Sequence, residues 1–254
     1  MPVLALPLSV RVALWATRWL AGHGEVQDVF HKSHAGAVTD CGGPLDETLR
    51  DWQTYGETAV FLALPRPGVP AGMPRTDRLS LAEAAEAGQA AYAPTVGGLL
   101  VPRLTPFGPD GDLGLLVEWT AYDAEPVPRH VAESTDLRDL SRRLAEAVQE
   151  ATERLATVGG IPWRGGEANP PPRASLPGLP PGLAPRPVHL LDRAVEVRAL
   201  ALSGLDVEAK GAALDATTSA VRTATLRALL VEAEAAVVGA TNVLAMSIAG
   251  WRPA

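Results

Sequence analysis

Apolar residues recur along this chain at two rhythms, and each rhythm predicts a different element. Over 136–158, Leu137, Leu140, Leu144, Val148, Ala151, Leu155 and Val158 fall three or four apart, which gives a helix one apolar stripe. Ser134 or Thr135 is placed to cap its start, and Gly159-Gly160 to end it. The pairs Arg142–Glu146 and Glu150–Arg154 fall on its polar side. The pattern predicts an amphipathic helix lying on a sheet. The same period predicts helices over 9–21, with Ser9 as cap and Trp15 and Trp19 facing inward, and over 44–55. Ser80 and Glu83 have the spacing of a capping box, which predicts a helix running from there to about Ala91. Within the ambiguous stretch 22–43, Val26, Val29 and Phe30 suit a short helix and Val38 a strand.

Shorter apolar runs predict strands over 58–64, 98–105 and 113–122, the last two joined by a turn at Pro109-Asp110-Gly111. Within the last, Leu116, Glu118 and Thr120 share one face, so Glu118 is expected to point to solvent. After 188 the pattern is wholly helical, with helices over 189–202 and about 212–249 and breaks at Gly204 and Gly211. The long helix carries two stripes. Leu226, Leu230, Ala233, Val237, Ala240, Leu244 and Ile248 make one; Ala228, Val231, Ala235, Val238 and Ala245 make the other. A helix apolar on two sides is buried on two sides.

Nine prolines fall within 161–187, and proline neither continues a helix nor fills a central strand. The organisation predicted is an α+β domain over 1–160, a Pro/Gly-rich linker over 161–187 on the surface, and a helical hairpin over 188–254. The α+β domain is expected to hold an antiparallel sheet with helices packed on one face.

Net charge is −7, and residues 1–160 hold 21 acidic against 13 basic side chains. An acidic body without a basic stripe argues against nucleic acid. The single cysteine excludes an internal disulfide and a multi-cysteine zinc cage. Residues 235–250 carry no charge, but that is shorter than a bilayer span and follows Glu232 and Glu234. The amino terminus lacks the basic region of a signal peptide. No membrane partner and a cytoplasmic setting are therefore expected.

Chemistry is sparse. His31, His34, Asp40 and Cys41, with His23 and Asp28 nearby, form the densest group of candidate ligands, and 23–47 is the candidate ligand-binding segment. Their spacing matches no structural zinc cage, so neither metal nor cofactor is expected. Cys41 beside Gly42-Gly43 suits a tight turn better than a nucleophile. No phosphate-binding loop, dinucleotide fingerprint or nucleophile elbow occurs.

The phrase from Ala59 through Leu64-Pro-Arg-Pro-Gly68 to Pro74 resembles a phrase of actinobacterial conserved hypothetical proteins. The helix beginning Ala84-Ala-Glu86, the Gly98-Leu-Leu-Val-Pro102 strand and Arg222-Thr-Ala-Thr-Leu-Arg227 are similar to the same family. The resemblance spans 59–105, 137–164 and 188–240. It implies a shared fold and a bacterial cytoplasmic setting, and carries over no functional residue.

These patterns together predict a non-enzymatic interaction protein. It would self-associate as a homodimer, or dock another protein, through its C-terminal helices, with Val231, Ala235, Val238 and Ala245 at the interface. The alternative is a small-ligand binder or enzyme using 23–47.

Overall fold

A computed structural model describes residues 6–34, 38–39, 43–108, 114–158, 178–209 and 216–253. Along the chain run α1 (Leu8–Leu20), α2 (Val26–Ser33), β1 (Val38–Thr39), α3 (Pro44–Thr54), β2 (Phe61–Ala63), α4 (Arg78–Ala87) and β3 (Ala90–Tyr92). They are followed by β4 (Leu99–Phe107), β5 (Gly114–Tyr122), α5 (Arg129–Glu133), α6 (Leu137–Thr157), α7 (Pro185–Ala209) and α8 (Ala216–Ile248). The class is α+β. The sheet order is β1-β5-β4-β3-β2, antiparallel throughout except that β1 runs parallel to β5.

Strand alternation sorts the core into two layers. Phe61, Tyr92, Leu99 and Val101 share one core with Ala84 of α4, the C-terminal half of α8 and, beyond α8, Leu144 of α6. Ala91, Leu100, Val117 and Trp119 meet Val29 and Phe30 of α2 and Leu49 and Trp52 of α3. Helices thus cover the second face as well. Helix α1 straddles both layers, Val10 and Leu14 in one, Val12, Trp15 and Trp19 in the other.

The outer edge of β2 shows how α8 is seated. An open edge presents backbone groups that need partners. Val60 N–H donates to Thr17 Oγ1 of α1 at 2.8 Å. Leu62 N–H donates to Asn242 Oδ1 at 2.7 Å, and Asn242 Nδ2 donates back to Leu62 O at 3.2 Å. Leu64 N–H donates to Ala71 O at 3.2 Å. One amide on α8 takes the place of a neighbouring strand.

Several local expectations change. Pro7, not Ser9, precedes the first turn of α1, and Ser9 N–H is satisfied instead by Gln89 Oε1 at 3.0 Å. Asp77 caps α4 by accepting from Leu79 and Ser80 N–H, so the helix starts before the Ser80 box and ends at Gly88. Glu83 accepts from Tyr122 Oη rather than reaching back to a cap. Ala90–Tyr92 is then free to be a strand. Asp136, not Ser134 or Thr135, caps α6.

Helix α6 lies on α8 rather than on the sheet. Gly239 permits the approach: a Cβ there would stand 2.2 Å from Leu140 Cδ1. Gly204 breaks nothing; it lies within α7, where a Cβ would stand 2.9 Å from Leu226 Cδ1. Gly211 and the turn at 109–111 fall outside the described residues, as do 161–177 of the proline-rich stretch. The described remainder, 178–187, is partly packed and partly helical, with Pro181 and Gly182 in an exposed turn. Gly178 O accepts from Trp15 Nε1 at 2.7 Å, Pro180 is buried, and Pro185 and Pro187 occupy the first turn of α7, where a missing N–H costs nothing.

Candidate functional site

Of the candidate residues in 23–47, His31 and His34 are described, and they sit in different surroundings. His31 lies exposed on α2, with Nδ1 on Gln27 O at 3.0 Å. His34 is 3% exposed and spends both ring nitrogens. Trp119 Nε1 donates to its Nε2 at 3.1 Å, so the proton sits on Nδ1 and is donated to Phe30 O at 3.0 Å. Burial lowers the His34 pKa from its ordinary value, and the nearby Arg11 charge adds to this against the Phe30 bond. This imidazole is a neutral core strut. Asp40 and Cys41 lie outside the described residues.

Two of the three carboxylates buried among the described residues hold the frame, the third being Glu208, paired with Arg222 at 2.7 Å. Glu57, 3% exposed, accepts from Thr58 and Ala59 N–H through Oε1 and from Thr95 and Val96 N–H through Oε2. It joins the end of α3 to the β3–β4 turn. Glu234 on α8, 1% exposed, takes Arg66 Nε at 2.7 Å and Arg198 Nε at 3.2 Å. Burial lowers the Arg198 pKa from its usual value, although the Glu234 charge opposes this. Neither carboxylate has an oxygen left without a donor. Glu118 is exposed on β5, paired across the strand with Arg103.

The second stripe of α8 divides at Glu234. Ala245 is fully buried and Val238 is 9% exposed, with Val238 Cγ1 3.0 Å from where a Cβ on Gly72 would lie. The chain's own loop and sheet edge cover that half. Ala235 is partly buried, and Val231 is 38% exposed. Toward the start of α8 the same face continues through Ala228, Ala224, Val221 and Ala220, all exposed. These positions fall within about a third of the helix circumference at 3.6 residues per turn. Arg227 sits at the margin of that arc.

The stripe weighed from the sequence began at Ala228 and missed Ala220, Val221 and Ala224. Their three- and four-residue spacing was the signal that extends it. Asn242 was missed too, although a lone amide in an uncharged run is a polar group that needs a buried partner.

Two family models match the chain. Residues 9–134 match the model described as Rv1486c-like protein, N-terminal domain, and residues 138–238 match Rv1486c-like protein, C-terminal domain. The two matches meet just before α6. No curated protein and no solved structure matches.

Proposed function

The chain belongs to the Rv1486c-like family, and we propose that it is a non-enzymatic interaction protein that self-associates through its C-terminal helices. The observation that carries this reading is the bare face of α8 from Ala220 to Val231, which is apolar where a solvent-facing helix ordinarily carries charge. Small side chains let two helix backbones approach closely, and a two-fold axis places the same face on both sides without a second partner. Leu200 on α7, 46% exposed, and Val221, 40% exposed, add apolar surface on the same pair of helices. A cytoplasmic setting goes with this reading. The burial of α8 goes against a membrane span, since 72% of its most apolar window lies inside the fold although its length and composition would suit one.

Light scattering across the micromolar range tests the proposal. A dimer is expected, and Val231→Glu is expected to return a folded monomer that melts as the wild type does when diluted to its own monomer, since Val231 touches solvent in the single chain. Val238→Glu would instead bury a charge and unfold the chain. A wild-type monomer at every concentration overturns self-association.

A further inference from the structure

We propose that the cleft between the first turns of α6 and α7 binds a small ligand carrying two or more phosphate groups. This reading is independent of self-association. The cleft has a volume of about 960 Å³, and its lining includes Arg138, Arg142, Arg186, His189, Arg193 and Arg252. Asp136 is the one acidic residue among its walls. In a chain of net charge −7, five guanidinium groups at one cleft are a local reversal of sign.

Three of these cations are uncommitted. Arg138, Arg186 and Arg193 are exposed, and their guanidinium groups take no hydrogen bond or ion pair among the described residues. The rest of the wall is partly spent. Arg142 is held by Asp139 and by Glu146, the latter at 2.9 Å. Arg252 Nη1 donates to Glu133 O at 2.7 Å and Thr135 O at 3.2 Å, which fixes its guanidinium beside the cleft. Asp136 is occupied as the cap of α6, accepting from Arg138 N–H at 2.8 Å. The one anion at the site is therefore turned to the helix.

The three guanidinium groups that have no ion-pair partner among the described residues repel one another, and a bound anion relieves this. Guanidinium forks match phosphate oxygens in pairs, and the N-terminal turns of two helices contribute partial positive charge to the same space. Three free guanidinium groups exceed what one phosphate needs and suit two. The cleft falls within the size range of small-molecule sites. A long polyanion is disfavoured, because beyond the cleft its phosphates would meet the acidic body. Leu137 and Leu190 line the cleft and offer apolar surface to whatever carries the phosphates.

Calorimetric titration of the full chain with pyrophosphate, orthophosphate and citrate, at physiological salt, tests the site. Pyrophosphate is expected to bind about tenfold or more tighter than either of the others, as paired charge-assisted forks imply. The double variant Arg138→Gln, Arg193→Gln is expected to lose about tenfold or more of that affinity while keeping the wild-type melting temperature. If that variant melts early, Arg186→Gln alone carries the same expectation of weakened binding. The proposal is overturned if pyrophosphate gives no saturable heat, or if citrate binds equally well. It is also overturned if a single-stranded oligonucleotide binds as tightly, or if the folded variants bind as the wild type does.

Discussion

Replacing Glu57 by Gln changes almost no volume and removes one charge, so it isolates what four converging N–H groups contribute. The carboxylate is 3% exposed, and its bonds are 2.9 and 3.2 Å to Thr58 and Ala59, then 2.7 and 3.1 Å to Thr95 and Val96. A glutamine keeps one acceptor oxygen. Its NH2 group then faces two N–H donors, so two hydrogen bonds to a charged acceptor are lost and replaced by donor–donor contacts. Bonds to charged groups contribute about 1.5–3 kcal/mol each, which sets the gross loss at about 3–6 kcal/mol. Some relief comes from water reaching the part-buried Thr58 and Thr95 N–H groups, so a net loss of about 3 kcal/mol is expected. For a chain of this size that corresponds to a fall of about 6–12 °C in melting temperature. Urea unfolding followed by tryptophan fluorescence measures it, with a lower midpoint and an unchanged slope as the signature. Glu57→Asp keeps the charge but shortens the reach, and should fall between. A loss below about 1 kcal/mol for Glu57→Gln would refute the view that this carboxylate staples the two loops.

Two further outcomes follow from neighbouring features. Gly97→Ala should cost about 2–3 kcal/mol, because φ is +82° and a Cβ would stand 2.4 Å from the backbone oxygen of Ala124; a variant as stable as the wild type in urea would contradict the close approach. His34 is neutral in the fold with its pKa lowered by burial. The unfolded chain therefore takes up a proton first as pH falls through about 6.5, and the stabilising effect, full above that pH, is lost progressively as pH falls toward the folded pKa. The expected slope is at most about 1.4 kcal/mol per pH unit; His34→Gln should flatten the stability profile between neutral and mildly acid pH, and an equally steep profile in the variant would show that other groups cause it.

What was legible in the sequence is what depends on local period. The α6 stripe, the β4–β5 pair and the inward-facing tryptophans of α1 all follow from spacing within one element. What was hidden depends on distant partners or on competition between near-equal signals. Asp77 and Ser80 both suit an N-cap, and the earlier one wins because Leu79 and Ser80 N–H groups both reach its carboxylate. Strand β3 is three residues, two of them alanine, and is held by registering with Leu62 and Leu100 rather than by propensity. At the candidate site, His31 and His34 share a spacing suggestive of ligands, but the partner that claims His34 is Trp119, 85 residues away. Periodicity likewise identified the second stripe of α8 but not its cover. That cover is an edge strand 180 residues distant, reached through Asn242.

The length of α8 explains why its second stripe has two fates. Thirty-three residues make a helix about 50 Å long, whereas β2 is a three-residue strand that can back only a turn or two. One end of the helix must outrun the sheet. Glu234 marks the place, since Arg66, just beyond β2, and Arg198 of α7 both close on its carboxylate there. Burying Glu234 and Arg198 with Arg66 at the rim is costly unless the pairing is good, and it contributes more to fixing a unique register than to net stability. With that register fixed, Val238, Asn242 and Ala245 go under the sheet edge, and Ala228 and Val231 emerge beyond it. Water would tolerate lysine or glutamate at those emergent positions at no packing cost, and both are strong helix formers. The chain instead keeps the face small and apolar for three turns. Among the described residues nothing packs on that face, and the self-association proposed above would lay a second helix along it.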